Sequence, residues 1–190
     1  GSMGAYLRHY PKFFGETPVR DVGLIASEGR MTIPMSDATP SGVLDITTTE
    51  LADELVGGEL TAGPDRLTAA GRRGIPQVVS VGALDMVNFG GIETVPERFR
   101  GRNLYRHNAT VTLMRTTADE CVEIGRRIAT QLNAATGPTA LVLPLRGVSA
   151  IDSPGQPFHD PEANQALFDS LRTHVDPRVQ VIEVDAHIND

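Results

Sequence analysis

GIPQVVSVGALDMVNFGG, residues 74 to 91, decides how the rest of the chain is read. Val78 and Val79 form the β-branched centre of a buried strand. Small and polar residues follow at once: Gly82, Asp85, Asn88, Gly90 and Gly91. Open α/β sheets hold their ligands at the carboxyl ends of strands. A glycine and carboxamide cluster at such an exit therefore marks a candidate site. A tight turn with caps is the alternative.

Around this stretch, strand-like and helix-like segments alternate. Val43 to Thr48 reads as a strand, and Thr49 as the cap of a short helix over Glu50 to Val56. Asp65 to Arg73 reads as a second helix with Leu67, Ala70 and Gly71 inward, punctuated by Pro64 and Gly74. Gln77 to Val81 is a strand. Thr94 to Gly101 is a polar connection, and Leu104 to Tyr105 and Val111 to Met114 are short strands. Thr117 and Glu120 have capping-box spacing. Cys121, Ile124, Ile128 and Leu132 then form one apolar stripe. Ala140 to Leu145 is a strand. Asp160 and Pro161 open a helix lined by Ala163, Leu167 and Leu171, and Val179 to Val184 is the last strand. This alternation predicts an α/β fold: a mainly parallel, Rossmann-like sheet with helices on both faces. Before it, Asp21 to Ser27 and Met31 to Met35 read as an N-terminal β-hairpin. Gly1 to Met3 looks like a tag remnant. The expected organisation is thus a hairpin segment over residues 4–41 and an α/β domain over 42–190.

Composition limits the functions available. The 190 residues suit one domain, or one and a fraction. A formal net charge of −7 argues against a general grip on nucleic acid or anionic lipid. No apolar run approaches the length of a membrane span. The single cysteine, Cys121, forbids an intrachain disulfide and agrees with a cytoplasmic setting. It sits in a helical pattern beside Val122 and Ile124 and reads as a small buried hydrophobe.

Right-handed crossovers open the exits of parallel strands along one edge. The residues at those exits are therefore the candidate ligand-binding set: Gly82, Asp85, Asn88, Arg115, Thr116, Arg146, Gly147, Ser149 and His187. Arg115 and Arg146 can fork onto phosphate or carboxylate. Their alternative is a salt bridge, with Arg146 on Asp85 as the expected pair. Thr116 precedes a helix whose first amides favour an anion, and is the freer group because Thr117 is taken up as the cap. Ser149, Asp152 and His187 offer a nucleophilic triad in type, but without a G-x-S-x-G elbow. Asp185, His187 and Asp190 with His159 or Asp160 could hold a divalent ion, yet no zinc spacing supports it, and no metal is expected.

Five segments carry a resemblance: residues 74–91, GVLDITTTELADELVGG (42–58), HNATVTLMRTTADE (107–120), LPLRGVSAID (143–152) and VDAHIND (184–190). They resemble the Tm-one-like ATP-binding family, named for a plant protein conferring resistance to tomato mosaic virus. The resemblance covers the second of that family's two α/β lobes. It implies ATP or another nucleotide as ligand; whether Mg²⁺ takes part is left open. The family's glycine-rich opening turn is not found here, and neither G-x-x-x-x-G-K-[ST] nor G-x-G-x-x-G occurs. YLRHYPKFFGETPVRDVGLIASEGRMTIPM (6–35) resembles the auxin-responsive acyl-acid amido synthetases, which are adenylate-forming enzymes. That resemblance would place Ser27 and Glu28 near ATP. The sequence-based expectation is a partial nucleotide-associated domain without catalysis of its own. The alternatives are an oligomerising interaction module and a fragment of an acyl-adenylating enzyme. The family continues beyond HIND, so an uncovered sheet face, and with it a homo-oligomer, is expected.

Overall fold

The computed structural model describes residues 30–34 and 40–190, with side chains from Gly42 onward. Among the described residues the main sheet has the order β1-β2-β3-β7-β8. β1 (Arg30–Pro34) runs antiparallel to β2 (Pro40–Thr47). β2, β3 (Gln77–Gly82), β7 (Thr139–Pro144) and β8 (Gln180–Val184) are mutually parallel. The expected α/β fold with a mainly parallel sheet flanked by helices is present. The strand read over Met31 to Met35 is β1, paired with β2; its expected hairpin partner, Asp21 to Ser27, lies outside the described residues.

A second, antiparallel sheet is inserted between β3 and β7. It has the order β4-β6-β5, from β4 (Met86–Phe89), β5 (Leu104–Arg106) and β6 (Thr112–Arg115). β4 corrects the reading of the residues after Val81 as a strand-exit cluster or tight turn, since Met86–Phe89 is a strand. Val87 and Phe89 are buried against the core, and Asn88 is buried as well. Asn88 keeps its polarity satisfied by donating through its backbone N–H and its Nδ2 to the Asp53 carboxylate, both at 2.7 Å.

Among the described residues four α-helices pack on the sheet: α1 (Glu50–Val56), α2 (Thr68–Arg72), α3 (Ala118–Asn133) and α4 (Pro161–His174). Thr49 precedes α1 but does not cap it. Its hydroxyl accepts from Asn88 Nδ2 at 3.0 Å instead, so β4 has taken the cap's oxygen. α2 starts three residues later than expected. Leu67 is in the left-handed region (φ 73°), which a helix cannot include, and it buries its side chain there. α3 has its full capping box: Thr117 Oγ1 accepts from the Glu120 amide at 3.2 Å, and Glu120 Oε2 accepts from the Thr117 amide at 2.7 Å. Asp160 caps α4 by accepting from the Ala163 amide at 3.0 Å, with Pro161 at the first turn. α3 crosses α4 at Gly125, where a Cβ would stand 2.7 Å from the Ser170 side chain.

One apolar cluster joins the helices to the sheet. Leu51, Ile124, Ile128, Leu132, Leu167 and Leu171 meet Val79, Val81, Leu141 and Leu143. These strand residues share one face of the sheet, since side chains alternate with period two. Val78 and Ala140 are buried but lie outside that cluster, on the opposite face. No helix among the described residues is long and apolar enough to cross a membrane.

Candidate functional site

The carboxyl ends of β3, β7 and β8 do converge, and the residues there divide into an inner and an outer layer. At the β3 exit, Gly82 has no room for a side chain: a Cβ would stand 2.5 Å from the Ile46 carbonyl oxygen. Ala83 then adopts φ 58°, uncommon for a residue with a Cβ. Its amide donates to the Val148 carbonyl at 2.8 Å, which ties the β3 exit to the β7 exit.

The inner layer is a buried polar network. Asp85 is 1% exposed and accepts from Ser149 Oγ at 2.6 Å. Asp152, fully buried, accepts from the Val148 amide at 2.9 Å and from Asn164 Nδ2 at 2.7 Å. Arg115 threads between them. Its Nε donates to the Phe158 carbonyl at 2.8 Å, its Nη1 to Thr116 Oγ1 at 2.8 Å and its Nη2 to Asn164 Oδ1 at 2.8 Å. Its Nη2 also stands 3.8 Å from Asp152. Burial pushes the Asp85 carboxyl up to about 6, with the nearby Asp152 charge adding to it; the Ser149 hydrogen bond and Arg115 pull the other way. One oxygen of Asp85 and one of Asp152 make no hydrogen bond. Burial likewise pushes the Cys121 thiol up, which suits an unreactive core group.

This network revises the roles read from sequence for five residues. Arg115 is buried and engaged with main-chain carbonyls of the loop before α4. Thr116 is buried, donates to the Leu84 carbonyl at 2.9 Å and is not a free group at a helix start. Asn88 belongs to the β4–α1 contact. Asp85 and Ser149 satisfy each other. Only Arg115 among them has the sign an anion site needs, and its hydrogen bonds are taken by Thr116, Asn164 and the Phe158 and Asp160 carbonyls.

The outer layer lines an open cleft of roughly 640 Å³ between the β7 and β8 exits and the start of α4. Arg146, Ser153, His159, Asn164, Gln165 and His187 are on its wall. Arg146 pairs bidentately with Asp185, at 2.7 Å through both Nε and Nη2, rather than with Asp85. That pair is exposed, so a ligand can compete for the guanidinium at little cost. Gly147 has φ 144°, and a Cβ on it would stand 2.5 Å from the His187 ring. The imidazole of His187 therefore rests directly on the loop backbone.

Hydrogen bonds fix how both histidines present themselves when neutral. The Asn189 amide donates to His187 Nδ1 at 3.2 Å, so Nε2 carries the proton and donates to Ser153 Oγ at 3.0 Å. This tautomer cannot take a proton from Ser153. His159 Nδ1 donates to the Asp152 carbonyl at 2.8 Å, which leaves its Nε2 as the acceptor nitrogen. The triad types do not assemble: Ser149 binds Asp85, Asp152 binds amides, and His187 binds Ser153. Among the described residues no three His, Cys, Asp or Glu side chains cluster as metal ligands would. Ser153, Asn164 and Gln165 carry no signal in the sequence. They come to the cleft through the loop and helix after β7, and no spacing marks them.

A parallel sheet with these exits defines a class. The chain belongs to uncharacterised protein family UPF0261 as its C-terminal domain; the family's profile for that domain matches residues 33–190. It is 61% identical over 150 residues to a UPF0261 protein of Clostridium tetani, covering 78% of this chain and 37% of that protein. A UPF0261 protein of Rhizobium meliloti is 55% identical over 152 residues, covering 79% and 38%. The ToMV resistance protein Tm-1(GCR237) of Solanum lycopersicum is 47% identical over 151 residues, covering 78% and 20%. The chain thus spans under two fifths of these bacterial relatives and a fifth of the tomato protein. The likeness to the tomato proteins read from sequence is upheld over this domain. The likeness of residues 4–45 to acyl-acid amido synthetases finds no support in these matches, and Ser27 and Glu28 lie outside the described residues.

Proposed function

We propose that this domain is a nucleotide-associated α/β module that binds a small phosphate- or carboxylate-bearing ligand at the sheet's carboxyl rim and catalyses nothing by itself. The observation that carries the reading is the cleft at the β7 and β8 exits. It brings the Arg146 guanidinium, the Ser153 hydroxyl and two imidazoles to one concave surface. Ligands of open α/β sheets sit in this position. The buried network of Asp85, Arg115, Asp152 and Asn164 acts beneath it as a frame that holds the loop before α4 in place. The His187 tautomer supports the reading without catalysis, because that imidazole cannot serve as base for Ser153.

ATP is the first ligand to test, on the strength of the Tm-one-like resemblance. With no glycine-rich cradle for the phosphates, its affinity should be weaker than about 1 μM. Isothermal titration with ATP and Mg²⁺, then AMP and orthophosphate, measures this. Arg146→Ala should weaken binding by about tenfold or more, the loss of one charge-assisted contact of roughly 1.5–3 kcal/mol. Unchanged affinity in that variant would remove the cleft from consideration as an anion site.

A further inference from the structure

The polar groups on the wall of the cleft are mostly acceptors. The Arg146 guanidinium is a donor, held by Asp185 at 2.7 Å. The Ser153 hydroxyl is another: its oxygen accepts from His187 Nε2 at 3.0 Å, so its own proton remains to give. Asn164 has nothing left to offer, since its Nδ2 serves Asp152 and its Oδ1 serves Arg115. Gln165 spends its Nε2 on Asp169 at 2.8 Å and keeps its carbonyl oxygen. The Asn189 side chain carries a donor and an acceptor alike. Neutral His159 presents Nε2 as an acceptor, because its Nδ1 is bound to the Asp152 carbonyl. Asp190 is on the wall as well, and its charge bears on Arg146 together with that of Asp185. Two carboxylates therefore face one guanidinium.

We propose that the ligand of this cleft is a zwitterion: an α-amino acid with an apolar side chain. The inference rests on the reading of the cleft as an anion site and narrows it. A carboxylate that takes Arg146 from Asp185 leaves Asp185, and Asp190 near it, without that cation. A simple anion thus adds a third negative charge to a wall that already holds two. A ligand with an ammonium beside its carboxylate answers both halves of the pair. Its carboxylate accepts from Arg146 and Ser153, and its three N–H donors serve Asp185 and the acceptor side of the wall. Opening the Arg146–Asp185 pair costs little, because the two side chains are 63% and 75% exposed. Leu145, Pro154, Pro161 and Phe168 form the apolar part of the lining. Small-molecule sites combine such a lining with a few placed polar groups.

Isothermal titration of the full chain at neutral pH tests it with leucine, isocaproate and isoamylamine. Isocaproate is leucine without the ammonium, and isoamylamine is leucine without the carboxylate. The His159 and His187 imidazole resonances report whether a probe binds in the cleft. The expected result is leucine bound there at least about tenfold more tightly than either analogue, the worth of one charge-assisted contact. Glycine should bind more weakly than leucine, for want of the apolar contacts. In Asp185→Asn the margin of leucine over isocaproate should narrow by at least about threefold. Asp185 is exposed, and circular dichroism confirms that the variant folds. A margin unchanged in D185N overturns the proposal, as does glycine binding as tightly as leucine. Leucine no tighter than isocaproate at these histidines also overturns it, but leaves the anion reading standing. If leucine, isocaproate and orthophosphate all leave His159 and His187 unmoved, both readings fall.

Discussion

Replacing Asp85 with asparagine should change how stability depends on pH. Asp85 is 1% exposed and titrates at about 6, against an ordinary value of 3.8. Its folded-state value is raised, so between those two pH values the native state holds a proton that the unfolded chain has released. Its contribution is therefore fully present below about pH 4 and is lost as pH rises through 6. The loss is at most about 3 kcal/mol, from a shift of roughly two units at 1.36 kcal/mol each. The asparagine side chain carries no such proton and keeps an oxygen to accept from Ser149. Urea denaturation of both proteins at steps from pH 4 to pH 7.5 measures the difference. The Asp85→Asn protein should gain on the wild type by up to about 3 kcal/mol across that range. A difference that stays flat, or that favours the wild type as pH rises, would refute the claim that a buried carboxylate is held there against its solvation.

Three further outcomes follow from the same layer and its supports. Arg115→Ala strands buried carbonyls, Asn164 and two carboxylates at once, so a loss of about 3–5 kcal/mol is expected in chemical denaturation. Ala83→Gly removes a left-handed residue's penalty at φ 58°, and should leave stability unchanged or raise the melting temperature slightly, despite the looser unfolded chain. Gly125→Val forces a side chain into the α3–α4 crossing, where even a Cβ meets Ser170 at 2.7 Å, and should cost about 1–3 kcal/mol in urea denaturation.

The elements that announce themselves locally are legible in the sequence. The α3 stripe of Cys121, Ile124, Ile128 and Leu132 follows from 3.6-residue periodicity, and the caps at Thr117 and Asp160 use residues within three positions of each other. β4 is not legible. Its four residues sit between glycines, and Asn88 at its centre looks like a loop residue because its partner, Asp53, is 35 residues away. The end of α2 nearest Leu67 is hidden for a similar reason: burial of that side chain overrides its backbone preference. The candidate site is half legible. Topology rightly sends Asp85, Arg146, Ser149 and His187 toward the same rim. Depth is not encoded. Arg115 turns inward because carbonyls more than 40 residues downstream receive it, and Arg146 stays outside because Asp185, one strand away, holds it there.

The imidazole proton resonances, followed while ATP and Mg²⁺ are added, test the account most directly. His159 and His187 line the cleft, whereas His174 ends α4, with its Nδ1 donating to the Ser170 carbonyl at 2.7 Å. The expected result is a saturable shift of the His159 and His187 signals with His174 unmoved. Saturable binding that moves His174 and leaves His159 and His187 in place would contradict the assignment of the ligand to the β7 and β8 exits.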